Sequence, residues 1–274
     1  MDIFIGFDSA WTDNPKAPGA ICAVGMEERR CVQFYAPQSV TFKQARIFIQ
    51  NARSKNGVTL IALDQPTVVP NLTGSRPVER AAASLISWLG GGVQPSNRGK
   101  LGMFCDASPI WGFLTELGAE ENPERARKAT DGLYLMEVFP ALALASLHTE
   151  FFGRLRAPKY NPDRKKTFLM VDWRRVADVA ARESDLLGCD ELAEWCRTVG
   201  KTAKPHKTHQ DMLDSVLCVL IALHWRLRSR CESLILGDST TGYMVLPASR
   251  EVRDYLITKA RKFLVPIDGV VPSA

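Results

Sequence analysis

The sequence predicts an α/β protein: a mixed sheet of about five strands, helices on both faces, and a helical insertion before the last core helix. Three observations carry that expectation. Short apolar runs of strand character alternate with longer amphipathic runs of helical period. The order opens as strand, strand, strand, helix, strand, and a helix between two strands usually makes a right-handed crossover joining parallel neighbours. The run VTLIAL at 58–63 is apolar on both faces, as a central strand covered by helices on each side should be.

The elements follow in order. DIFIGFD at 2–8 sets Ile3, Ile5 and Phe7 against Phe4, Gly6 and Asp8, the alternation of a strand. GAICAV and CVQFYA, separated by the polar break MEERR, predict two more strands. Thr41 is placed to cap FKQARIFIQNARSK, where Ala45, Phe48, Ile49 and Ala52 share one face before Asn56 and Gly57 stop the helix. VTLIAL then closes on Asp64, and Pro66 prevents the strand from running further. If strands one and four lie side by side, Asp8 and Asp64 emerge together at the carboxyl edge, where open α/β sheets keep their ligand sites. PNLTGSR reads as a loop, Pro77 opens PVERAAASLISWL, GGG ends that helix, and 91–108 read as irregular. GLYLMEVF is the next strand, with Glu137 on the face of Leu133 and Leu135, and Pro140 starts a helix through ALALASLH. The helical pattern from about 163 to 199 predicts an insertion, at about 141–207, in one domain spanning 1–274. Thr208 begins THQDMLDSVLCVLIALHWRLRS, with Asp211 three residues on in the manner of a capping box. A strand GYMVLP and a helix REVRDYLITKARKFL close the chain, with Val252, Tyr255, Leu256 and Ala260 available to dock on the core.

Composition narrows the function classes. With 46% hydrophobic and 24% charged residues among 274, the chain has the profile of a globular protein, not of a disordered or fibrous one. Seven cysteines without CxxC spacing suit buried, reduced thiols and predict no structural zinc. MDIFIGFD meets an acid at once and reads as a strand, not a signal peptide, and the longest apolar run, Val216–Leu223, falls far short of the roughly 20 residues of a membrane helix. A cytoplasmic protein with no membrane partner is expected. The net charge of +5 is compatible with a polyanionic partner but weak support for one. There is no GxSxG elbow, GGG at 90–92 lacks the GK[ST] of a P-loop, and the four histidines show no metal-ligand spacing.

The chemistry lies in four acids set in apolar segments: Asp8, Asp64, Glu137 and Asp214. An unpaired carboxylate in such surroundings costs several kcal/mol, so each must reach an element end or meet a positive charge. Two carboxylates at about 4 Å repel by roughly 4 kcal/mol at an effective dielectric of 20, so convergence calls for divalent ions or for protons. Oxygen-only ligands suit Mg²⁺ or Mn²⁺, and two ions roughly 3.5 to 4 Å apart would serve phosphodiester hydrolysis. Other roles stay open. Asp8 and Asp64 could be turn formers, Asp214 a solvated first-turn residue, and Glu137 the buried partner of an arginine from 76–80. Asp211 has a capping role, and whether it is also a ligand stays open.

GFDSA, DQP, MEVFP and the late helix with Asp211 and Asp214 look like the RNase H fold. With SRPVERA, PKYNPDRKK and GDSTTGYMVLP, most of the chain resembles the domain-of-unknown-function 429 family, described as predicted nucleases of RNase H-like fold. The resemblance implies a mixed five-stranded sheet and an acidic metal site with Asp8, Asp64, Glu137 and Asp214 as catalytic ligands, and cleavage of nucleic acid.

Basic residues at Arg154, Arg156, Lys159, Arg164, Lys165 and Lys166, and at Lys201, Lys204, His206 and Lys207, flank the segment carrying Asp214. They read as a solvated face or as a track for a phosphate backbone, with Tyr160 and Trp173 available for base stacking. Arg76 and Arg80 are placed either to reach a substrate phosphate or to neutralise the acids. Two competing functions remain. An actin-like phosphotransferase or ATPase would add glycine-rich phosphate turns that GFDSAW lacks, and a non-catalytic nucleic-acid-binding module would keep the acids for ion-dependent contact.

Overall fold

The computed structural model describes residues 1–271. Its order is β1 (Asp2–Asp8), β2 (Gly19–Glu27), β3 (Arg30–Val40), α1 (Phe42–Ala52), β4 (Val58–Asp64), α2 (Pro77–Trp88), α3 (Pro109–Leu117), α4 (Pro123–Lys128), β5 (Gly132–Glu137) and α5 (Pro140–Leu147). Then come α6 (Met170–Leu186), α7 (Asp190–Gly200), α8 (Lys207–Leu227), β6 (Ser233–Asp238), β7 (Gly242–Pro247) and α9 (Arg250–Phe263). Five strands form one mixed sheet in the order β3-β2-β1-β4-β5. The first three are antiparallel, while β4 runs parallel to both β1 and β5. The expected neighbourhood of strands one and four is therefore found, with Asp8 opposite Asp64 in register.

Strand alternation divides the core. Ile3, Ile5, Phe7, Ile61, Leu63, Leu133 and Leu135 face α1 and α3, where Phe42 and Phe113 stack. Phe4, Leu60, Ala62, Tyr134 and Met136 face the opposite way, onto α8 and the helices of the insertion. A third cluster joins α2, α5 and α9 to the β6–β7 hairpin, with Val252, Leu256 and Ala260 docking as expected. Burying one such aliphatic side chain contributes about 1.5–3 kcal/mol, so each layer is held by many modest increments.

Several boundaries differ from expectation. The helical run at 163–199 is two helices, α6 and α7, and starts only at Met170, because residues 155–169 are irregular chain with turns, where Arg164 N–H donates to the Asn161 carbonyl and Thr167 N–H to the Arg164 carbonyl. Helix α8 begins at Lys207 with His206 as its cap, and the His206 N–H donates to His209 Nδ1 at 3.0 Å. Thr208 is thus not the cap, and Asp211 is not a capping acid: it pairs with Lys207 one turn earlier. The capping box at Thr41 and Gln44 is present, as are irregular residues at 91–108. The cysteines are unpaired. Cys22, Cys189, Cys196 and Cys218 are buried, whereas Cys231 is exposed and Cys31 and Cys105 are partly so. Among the described residues no helix is long and apolar enough to cross a membrane.

Candidate active site

The position of Asp214 follows from a missing side chain. Gly6 sits on the α8 face of β1, two residues before Asp8, and a Cβ there would lie 1.9 Å from the Ser215 carbonyl oxygen and 2.6 Å from the Val219 nitrogen. Only glycine lets the helix backbone come that close. At its other end α8 reaches the start of β1, where Arg226 pairs with Asp2 at 3.3 Å. Helix and strand therefore run antiparallel, and the first turns of α8 overhang the carboxyl ends of β1 and β4. Asp214 is brought over Asp8 and Asp64 in this way.

Asp8 and Asp64 are register partners on adjacent parallel strands, which pack roughly 4.8 Å apart. Asp8 is buried and Asp64 half-buried. Among the described residues neither carboxylate accepts a hydrogen bond, which removes the turn-former reading of both, since an Asx turn requires a backbone N–H donor. Burial raises Asp8 well above the ordinary carboxylate range, and the charges of Asp64, Asp214 and Asp211 push it further, with Lys207 opposing. Burial, then Asp214 and Glu137, does the same to Asp64.

Asp214 is buried, not solvated, and its oxygens are held. Tyr160 OH donates to Oδ1 at 2.7 Å and Gln210 Nε2 to Oδ2 at 2.6 Å. Burial pushes Asp214 up to about 6, against the pull of Lys207, Tyr160 and Gln210. Gln210 is 8% exposed, and among the described residues its Oε1 has no partner. The amide cannot turn round to cure this, because a carboxylate only accepts and must face the NH₂. Gln65, next to Asp64, is wholly buried, takes the Ser9 hydroxyl on Oε1 and leaves Nε2 unpaired.

Lys207 is the cation resident among these acids. Burial works against its charge, yet Asp8, Asp211 and Asp214 raise it above the ordinary lysine value. Its ammonium pairs with Asp211, so it neutralises the cluster instead of offering itself as a free phosphate clamp. Asp211 stands beside the cluster, turned toward that lysine.

Other expected site residues are placed differently. Glu137 does not present a free carboxylate to the acids: Arg76 holds it with Nη1 on Oε2 at 2.9 Å and Nη2 on Oε1 at 2.6 Å, and Thr67 N–H adds a bond at 3.0 Å. Of the readings open for Glu137, pairing with an arginine of 76–80 is the one realised. Arg76 is wholly buried and also bound to Glu79 at 2.9 Å, so it cannot touch a substrate. Arg80 is exposed on α2, away from the cavity that the acids line. Lys165 is exposed and also outside it, whereas Arg164 and Thr167 line it. Lys159 lines it too, with its ammonium on the Gly90 carbonyl. Tyr160 is no stacking platform, because it is buried and spends its hydroxyl on Asp214. Trp173 is wholly buried and donates to the Val199 carbonyl at 3.2 Å, so it is a core residue.

A group of divalent ions fits the donor set in kind: oxygen ligands, mutual repulsion, and an orphaned buried amide oxygen beside Asp214. The ligands are not drawn together in advance, since among the described residues no three His, Cys, Asp or Glu side chains converge as a ready metal site. Gln210 escaped the sequence reading, although its place four residues before Asp214 on one helix was the available signal. Gln65 gave none beyond following Asp64.

Fold and site together define a mixed α/β protein with a buried acid cluster at the carboxyl edge of its parallel strands. The chain belongs to the family described as proteins of unknown function (DUF429), which it matches over residues 6–238. No curated protein and no solved structure matched it.

Proposed function

We propose that this protein is a nuclease that hydrolyses phosphodiester bonds with Mg²⁺ or Mn²⁺ held by Asp8, Asp64 and Asp214. The observation carrying the reading is that Asp8 and Asp64 meet in register at two strand ends, without hydrogen bonds among the described residues, under Asp214. Buried carboxylates so arranged repel one another unless cations or protons intervene. Bound there, divalent ions would supply Lewis acidity and neutralise charge developing on a phosphoryl group. The chain's own residues do the rest. Tyr160 and Gln210 fix the direction of Asp214, Lys207 tempers the charge of the cluster, and Gln210 Oε1 offers an acceptor to whatever enters. The strand order β3-β2-β1-β4-β5, with three antiparallel strands followed by two parallel ones, supports the RNase H-like resemblance and hence the nucleic-acid substrate.

The test is incubation of purified protein with labelled single- and double-stranded DNA and RNA, with Mn²⁺ or EDTA, beside Asp8→Asn and Asp214→Asn. Cleavage should require the metal and fall by about 100-fold or more in each variant, since both remove charge from the reacting centre. Equal cleavage by all three proteins would reject the site. ATP turnover without cleavage would favour a phosphotransferase or ATPase.

A further inference from the structure

Beside the acids lies a cavity of about 230 Å³. Asp64, Asp214 and Gln210 form its acidic end, Ile86, Phe139, Ala141 and Leu144 its apolar wall, and Asn161, Arg164 and Thr167 its polar rim. Three features mark it as a place where a ligand is recognised. Gln210 Oε1 is a buried acceptor that lacks a donor. The Arg164 guanidinium is exposed and, among the described residues, unpaired, which leaves a cation at the rim. The apolar wall offers a flat or aliphatic group a dry contact. An anionic group, a hydrogen-bond donor and a ring are thus asked of one small ligand.

One wall of the cavity is a strap of chain, with Ala157, Pro158, Lys159 and Tyr160 lining it. Leu155 N–H donates to the Trp88 carbonyl at 2.9 Å and Ala157 N–H to the Leu89 carbonyl at 2.7 Å, which ties the segment to the end of α2. The strap packs directly on Gly90, where φ is +88° and a Cβ would meet the Leu155 Cα at 3.2 Å. On the far side Lys159 N–H donates to Asp172 Oδ2 at 2.8 Å and Tyr160 OH to Asp214 at 2.7 Å. Segment 155–160, held in this way on α2, α6 and α8, gives the cavity one fixed wall, and a volume of about 230 Å³ suits a single nucleotide better than a run of them. The adjoining cavity of about 180 Å³ shares Asp64, but its charged groups Arg76, Glu79 and Glu137 already satisfy one another.

We propose that this strapped cavity receives the terminal nucleotide of a single-stranded nucleic acid, making the protein an end-directed nuclease. The inference rests on the phosphodiester reading above. In the step it implies, a water oxygen bonds to the terminal phosphorus and the P–O bond to the next sugar breaks. The departing oxygen takes one proton of the water and leaves as an alcohol, and the second proton stays with the phosphate product.

The experiment uses the full chain, wild type beside Ala141→Phe, which fills the apolar wall, and Arg164→Ala, with folding checked by circular dichroism and melting. Adenosine 5′-monophosphate binding is measured by calorimetry, Mn²⁺ binding in a separate titration, and cleavage on linear and circular single strands of one sequence. Both variants should bind the nucleotide about tenfold or more weakly, as loss of a charged hydrogen bond or of the ring's space requires, while Mn²⁺ binding persists. The linear strand should shorten from an end and the circle stay intact. Equal cutting of circle and line, unchanged nucleotide binding in Ala141→Phe, or nucleotide binding without strand shortening would each overturn the end-directed role. Absence of Mn²⁺ binding and of all cleavage in the wild type would instead bring down the phosphodiester reading itself.

Discussion

Asp8 and Glu137 are both acids at strand ends, and their partners separate them. Glu137 meets a guanidinium with both oxygens, whereas Asp8 meets other carboxylates. Their neutral isosteres should therefore act in opposite directions. Glu137→Gln leaves Arg76 with Glu79 alone and should lower stability by on the order of 3 kcal/mol, as breaking a buried pair does, while sparing Mn²⁺ affinity. Asp8→Asn relieves repulsion and should raise stability by about 1–2 kcal/mol while abolishing Mn²⁺ binding. Urea unfolding and a metal titration read both. Loss of Mn²⁺ binding in Glu137→Gln with stability intact would make Glu137 a ligand after all. The four acids were legible as anomalies because apolar runs surround them, and an arginine at 76–80 was a recognisable partner. Which acid is paired was not legible, since Arg76 and Glu137 lie 61 residues apart and only the fold closes that separation. Gln210 was hidden for a different reason: an uncharged amide on a helix costs little when solvated, so nothing in the sequence marks it as buried.

At the scale of elements, the site depends on how closely α8 lies on β1. Gly6→Ala would place a methyl group 1.9 Å from the Ser215 carbonyl oxygen, and neither backbone can yield without lifting the helix. Overpacking of a rigid contact costs about 1–3 kcal/mol and more when backbone must shift, so the variant should unfold at lower urea. It should also bind Mn²⁺ more weakly, because Asp214 moves off Asp8. A Gly6→Ala protein as stable as wild type would mean that α8 does not pack on β1 as described. Long periodic elements were readable: the five sheet strands, α1, α2 and α9 follow the patterns expected of them, and α8 does so apart from its cap. What escaped were short pieces. Helix α3 is nine residues with a glycine inside it, α4 is six residues, and β6 is six residues ending on Gly237 and Asp238. Such elements have little propensity of their own and form because larger neighbours cover them. The cap of α8 was misplaced by two residues, since Thr208 is the better cap by type but His206 is the residue whose backbone is extended.

For the whole molecule, the acid cluster links folding to proton and metal activity. Asp8 and Asp64 are raised well above the ordinary carboxylate range and Asp214 to about 6, so between about pH 4 and 6 these groups hold more protons in the folded chain than in the unfolded one. Stability contributed by these groups is then present at low pH and lost as pH rises through their folded values, opposite in sign to an acid stabilised by a cationic partner. Two units at one group correspond to about 3 kcal/mol as an upper bound. Lys207, also raised by its neighbours, contributes in the same sense, but its share is lost as pH rises from the ordinary lysine value through its folded value, far above this window. A divalent ion binding the ionised folded form restores what deprotonation removes, by about 2.7 kcal/mol at one hundred times its dissociation constant. Other titrating groups also move the melting temperature, so the informative quantity is the difference between wild type and Asp8→Asn. In EDTA the variant's advantage should be small at pH 5 and grow by several degrees toward pH 7.5. With millimolar Mn²⁺ at pH 7.5 it should vanish or reverse, because only the wild type gains the ion. A difference that stays constant from pH 5 to 7.5 and ignores Mn²⁺ would show that the acids neither titrate together nor share a cation, and the arrangement at the sheet edge would then have to be explained by folding alone.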